Sequence, residues 1–143
     1  MVGVLLVLLV ILAQTPGQRL VGVYEGTLPC DGCAGIRTTL ALYTGSLAEA
    51  HDGSFTLRET YVLSQGGDKV LESLGQWVAV QGTATDPDAV TYRLTANAAS
   101  QSTYFLRVSD DMLRLLDADR REITLQGNYT LTLTTTLPSV GIR

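Results

Sequence analysis

The sequence predicts an all-β fold, an antiparallel sheet wound into a small barrel, and three observations carry that prediction. Apolar residues recur at every second position far more often than at the helical spacing of 3.6. The alternating runs are separated by short stretches rich in Asp, Gly and Pro, which suit hairpin turns. No amphipathic stretch of ten or more residues is present to set a helical class. A sheet of this kind must close on itself or cover its edges, and roughly six to eight short strands close naturally. An open sandwich is the competing arrangement.

Taken in chain order, the first element is an export signal. Residues 2–13 (VGVLLVLLVILA) are uniformly apolar, and at 1.5 Å per residue so short a helix cannot cross ~30 Å of hydrocarbon. The run fits the core of a signal peptide over residues 1–17, with Ala13 as a small residue for cleavage, although only Met1 precedes it where a basic segment is usual. Gln14, Thr15, Pro16, Gly17 and Gln18 follow, so no lipobox cysteine and no acyl anchor are expected. The mature chain is expected to be periplasmic or secreted. That compartment is oxidising, which favours a disulfide over two free thiols.

The barrel is expected over residues 19–134, as one domain. With 143 residues and 45% apolar content the chain can bury one modest core. Its net charge of −4 offers no basic face, which removes the usual driving force for nucleic-acid binding. Ile36, Thr38, Leu40 and Leu42 share one face of a strand, as do Phe55, Leu57, Glu59 and Tyr61 in the next. Val90, Tyr92 and Leu94 repeat the pattern, followed by Leu113, Leu115 and Ile123, then Tyr129, Leu131 and Leu133. Turns are expected at 51–53, 65–68, 86–88, 109–111 and 117–119. The best helical candidates, 46–50 and 69–74, are too short to matter. Residues 135–143, with Pro138 and Gly141, are expected to form a flexible tail.

The chemistry concentrates at residues 26–36, which hold both cysteines of the chain, Cys30 and Cys33, on a turn forced by Pro29, Gly32 and Gly35. The string Tyr24-Glu25-Gly26-Thr27-Leu28-Pro29-Cys30-Asp31-Gly32-Cys33-Ala34-Gly35-Ile36 resembles the N-terminal domain of the NlpE copper-resistance lipoprotein family. Further matches follow at residues 55–61, at Gly75-Gln76-Trp77, at residues 113–117 and at residues 128–131. The resemblance implies a lipocalin-like barrel in the bacterial cell envelope, a link to copper tolerance and envelope-stress signalling, and an envelope sensor or outer-membrane protein as partner. Better-known members of that family carry a lipidated cysteine and a second domain, and neither is read in this sequence.

Three readings of Cys30 and Cys33 stand side by side. Two thiolates at this spacing can hold copper(I), a soft ion content with few sulfur ligands, whereas a closed zinc site needs four. A Cys30–Cys33 disulfide could instead be reducible and report thiol poise, or simply stiffen the loop. A thioredoxin-like oxidoreductase is not expected, because residues 36–43 continue as a strand rather than a helix. His51 and Met112 are the remaining soft donors, read as a loop residue and a packing residue respectively. Asp31 reads as a solvated turn residue.

Outside that loop, Glu59 is the one charge on an apolar row, and in a closed barrel it could pair with an inward arginine. Phe55, Glu59, Tyr61 and Trp77 are the candidate cavity residues, and they define the alternative function, a carrier of a small apolar molecule. Trp77 reads most simply as a core aromatic. No phosphate loop, catalytic Ser/His/Asp set or paired helical carboxylates are present, so no enzyme activity is expected. A structural protein-interaction module is the third possibility.

Overall fold

Eight antiparallel strands follow one another around a closed barrel, each paired with its neighbours in sequence and the last with the first. The computed structural model describes residues 18–45, 51–63 and 65–135. The expected signal peptide, the helical candidate 46–50 and the tail from residue 136 lie outside these residues. The strands are β1 (Leu20–Leu28), β2 (Ile36–Thr44), β3 (Asp52–Tyr61), β4 (Lys69–Gln81), β5 (Val90–Ala96), β6 (Ser102–Ser109), β7 (Met112–Leu116) and β8 (Thr130–Thr135). Among the described residues there is no helix, and none long and apolar enough to cross a membrane.

Strands β2 and β3 pair over their whole length, from Ile36 opposite Tyr61 to Thr44 opposite Gly53. Because side chains alternate along a strand, this register sends Thr38, Leu40, Leu42, Phe55, Leu57 and Glu59 to the same interior. Closure comes from β1 against β8, with Tyr24 opposite Leu133 and Glu25 opposite Thr132. The core is built from these inward rows: Leu40, Leu42, Leu113 and Leu131 are fully enclosed, joined by Phe55, Trp77, Leu94 and Phe105. Burying each such side chain is worth about 1.5–3 kcal/mol, which is how a threonine-rich shell with few apolar residues per strand stays closed.

Three expectations need correcting. Residues 69–74 are the first half of β4, not a helix; they pair with β3 from Lys69 opposite Tyr61 to Leu74 opposite Thr56. The helical signal was less than two turns long, and a ladder along β3 pairs backbone groups that a lone turn would leave unpaired. Gly66 and Gly67, both at positive φ, make the reversal that brings this ladder together. Ile123 is not on a strand: residues 117–129 form a long loop with one isolated bridge, Leu116 to Glu122. Thr135, expected in the tail, belongs to β8 and pairs with Val23.

Candidate functional site

The barrel has two ends, and the topology sorts the functional candidates between them. The β1–β2, β3–β4, β5–β6 and β7–β8 connections gather at one end, and the β2–β3, β4–β5 and β6–β7 connections at the other.

Cys30 and Cys33 sit on the β1–β2 connection and are bonded to each other, with their Cα atoms 5.3 Å apart. Gly32, at φ +98° and with open space around it, lets the chain reverse between them. The loop is anchored on both flanks. Ala34 donates its amide to the Val62 carbonyl at 3.0 Å, and Val62 donates back to Gly35 at 2.9 Å. On the other side Gly127 of the long β7–β8 loop lies so close that a Cβ there would come within 2.6 Å of the Pro29 ring. Asn128, whose Nδ2 donates to the carbonyls of Thr27 and Thr130 at 3.1 Å each, ties the same loop to β1. The sulfurs are thus held together at a rim whose backbone is fixed by three neighbours, with Cys30 and Cys33 half-buried and Asp31 exposed between them.

Does this loop fit copper(I)? The bridged sulfurs carry no thiolate, so the oxidised form does not. Two-electron reduction yields two thiols three positions apart on an anchored turn, a donor set that suits a two-coordinate soft ion. No group of three or more His, Cys, Asp or Glu able to hold a metal occurs among the described residues, so a closed four-ligand site is not formed. His51 and Met112 cannot complete one, since both lie at the opposite end of the barrel, at the starts of β3 and β7.

Beneath the disulfide-bearing rim the barrel is hollow. A cavity of about 290 Å³ opens between the inward rows, with Phe55, Leu57, Leu94, Phe105 and Leu115 forming its apolar walls. Leu28, the last residue of β1 before the cysteine loop, also lines it. Its polar groups are Thr38, Glu59, Ser73, Gln101 and Thr103. Thr38 and Glu59 are direct cross-strand partners. Thr38 is itself satisfied, donating to the Ile36 carbonyl at 3.0 Å.

Glu59 is not satisfied in that way. Burial raises its carboxyl above the usual glutamate range, and no compensating charge opposes the shift. The arginine expected to pair with it is elsewhere: Arg37 with Asp68, Arg58 with Glu72, Arg107 with Asp110 and Arg114 with Glu122. For Arg37 and Arg58 the reason is phase, and for Arg107 its place at the far end of the barrel. Arg37 and Arg58 fall on the outward rows of β2 and β3, so neither can turn into the lumen. Tyr61 follows Glu59 on the inward row, and burial first, then the Glu59 charge, pushes its hydroxyl pKa up.

Of the four candidate cavity residues, the structure brings Phe55 and Glu59 into the lumen wall, whereas Tyr61 and Trp77 are not part of it. Trp77 is 1% exposed and belongs to the other end, where its Nε1 donates to the Tyr43 carbonyl at 2.8 Å and its ring lies 5.0 Å from that of Tyr92. A larger depression of about 600 Å³ runs across the outer wall of β1–β3, over Glu25, Arg37 and Arg58. It has no apolar floor, and its charges belong to the solvated face, so the lumen is the better-built site.

The class these features define is a small eight-stranded antiparallel cup with a disulfide-stapled rim and a partly polar lumen. Comparison with known proteins then sets it in a family. Residues 24–126 match the family model of the NlpE N-terminal domain. "Lipoprotein NlpE" of Escherichia coli (strain K12) is 32% identical over 108 residues, covering 76% of this chain and 39% of that protein. The chain belongs to the NlpE N-terminal domain family. It spans about two fifths of the length of the curated relative it matches. No solved structure matches it.

Proposed function

We propose that this chain is a binding or sensing module of the bacterial cell envelope, acting in copper tolerance or the envelope-stress response through the Cys30–Cys33 loop. Membership of the NlpE family supports the setting, and the apolar run at residues 2–13 supports export to it. The observation that carries the role of the loop is the anchored turn itself: two sulfurs held adjacent, half-buried at a rim, on a backbone fixed by Val62, Gly127 and Asn128. In the oxidising envelope the bridge is closed. A thiol reductant supplies two electrons and two protons, the S–S bond breaks, and the two thiols lose their protons as they take up a copper(I) ion. An envelope sensor or outer-membrane protein then reads the rim, where the loop's contacts with residues 62 and 127–128 change as the bridge opens.

Anaerobic titration of the reduced protein with copper(I), in competition with a chromophoric chelator, tests this reading beside a Cys30→Ser/Cys33→Ser variant. One ion per chain is expected for the parent and none for the variant. Equal binding by both removes the metal from the loop.

A further inference from the structure

The lumen points to a ligand that the cysteine loop does not require. We propose that the cavity at the disulfide-bearing end binds a small amphiphile with an apolar tail and a primary-amine head, the ammonium pairing with Glu59.

Four observations build the case. The walls are apolar on several strands at once, with Phe55, Leu57, Leu94, Phe105 and Leu115 facing one another across the gap, so a hydrocarbon tail gains burial there. Into this space projects one carboxylate, and among the described residues no cation and no hydrogen-bond donor is aimed at it. A half-buried carboxylate loses solvation unless a partner meets it, and among the described residues none pairs with Glu59 although four arginines pair with acids elsewhere. Around it Thr38, Ser73, Gln101 and Thr103 present oxygen atoms, which match the three N–H donors of an ammonium once one of them is taken by Glu59. These groups accept from a cation and leave a carboxylate ligand facing a like charge. The volume then fixes the size: about 290 Å³ corresponds to roughly ten water-sized units at ~30 Å³ each, so a head group with about eight carbons fits and a phospholipid does not.

This ligand is independent of the sulfur chemistry, and the test is run on the disulfide form with no copper present, so its failure leaves the copper reading untouched. The purified protein is titrated at pH 7 with n-octylamine, n-octanol and n-octanoate, each below its aggregation threshold, by calorimetry and by amide NMR. Octylamine is expected to bind in the sub-millimolar range, with shifts at Leu57, Glu59 and Ser73, octanol at least 10-fold more weakly, and octanoate not at all. Glu59→Gln, which keeps shape and removes charge, is expected to weaken octylamine at least 10-fold and to erase its advantage over octanol. Ala96→Phe, which fills the lumen from β5, is expected to abolish binding of all three while the far-ultraviolet circular dichroism stays unchanged. Octylamine binding that ignores Glu59→Gln, equal affinity for the three heads, shifts confined to the Tyr92 and Arg107 end, or no binding at all would each overturn the proposal.

Discussion

The two ends of the barrel treat their polar groups in opposite ways. At the end away from the disulfide the polar groups find partners within the protein: Trp77 donates to Tyr43, Arg107 reaches both Tyr92 and Asp110, and Thr91 donates to the Gly82 carbonyl at 3.1 Å. Burial raises the hydroxyl pKa values of Tyr24 and Tyr92 there, with Arg107 partly offsetting the shift. At the disulfide-bearing end the lumen stays open, and its one carboxylate is left to itself. The far end also holds a cavity, of about 540 Å³, lined by Val21, Tyr24, Tyr92, Arg107 and Leu133, so the ends differ in how their polar groups are partnered and not in whether they are filled. Unfilled volume forfeits contact on every side, so the stability rests on the fully enclosed side chains, Trp77, Leu40, Leu42, Phe105, Leu113 and Leu131.

The contrast breaks first where the packing is tightest. Trp77→Ala removes a fully enclosed ring and strands the Tyr43 carbonyl, and should cost about 3–5 kcal/mol in urea unfolding. Leu57→Ala, at a half-buried position that already borders the cavity, should cost only about 2 kcal/mol. Equal losses would mean that the cavity wall is packed as tightly as the enclosed core. Next in size is the rim. Opening the Cys30–Cys33 bridge by double serine substitution frees a very short loop, and loop-closure entropy limits the loss to about 2 kcal/mol. A much larger loss in thermal unfolding would show that the bridge holds the barrel rather than its rim.

The smallest effect carries the sharpest sign. The Glu59 carboxyl titrates higher in the folded chain than in the unfolded one. The folded state therefore binds more protons between the two pKa values, and stability is lost as pH rises through the folded value. Glu59→Gln should raise the melting temperature at pH 7, and the gain should vanish as pH falls below the unfolded glutamate value of about 4.3. A gain that persists at pH 3 would assign it to packing and not to charge.

Much of this architecture is legible in the residue pattern. Strands β2, β3 and β5 were readable because each has an interior to face over most of its length, so their apolar rows survive in the sequence. The same rule exposed Glu59 as a charge on the apolar row, and the Pro-Cys-x-x-Cys turn marked the rim. The first half of β4 was not readable. It extends past β5, which pairs only from Gly75 onward, and Val70, Leu71 and Leu74 stay exposed there, so no alternation is imposed on it. Thr91 falls on the outward row yet is fully buried, because the loop after β4 folds over it. Asn128, which the sequence offers only within the matching stretch 128–131, ties the long β7–β8 loop to β1 across 101 residues of sequence.

Period-two alternation, turn chemistry and cysteine spacing are local properties, and by themselves they determined the strand class, the all-β barrel and the sulfur-bearing corner. Where the barrel is filled and where it is hollow depends on side chains that meet across the interior from strands distant in sequence. So does the separation of Trp77 from Glu59, and of Glu59 from Arg37, Arg58, Arg107 and Arg114. Only the closed tertiary structure decided these, because the fit of volumes and the pairing of charges are properties of the assembled interior.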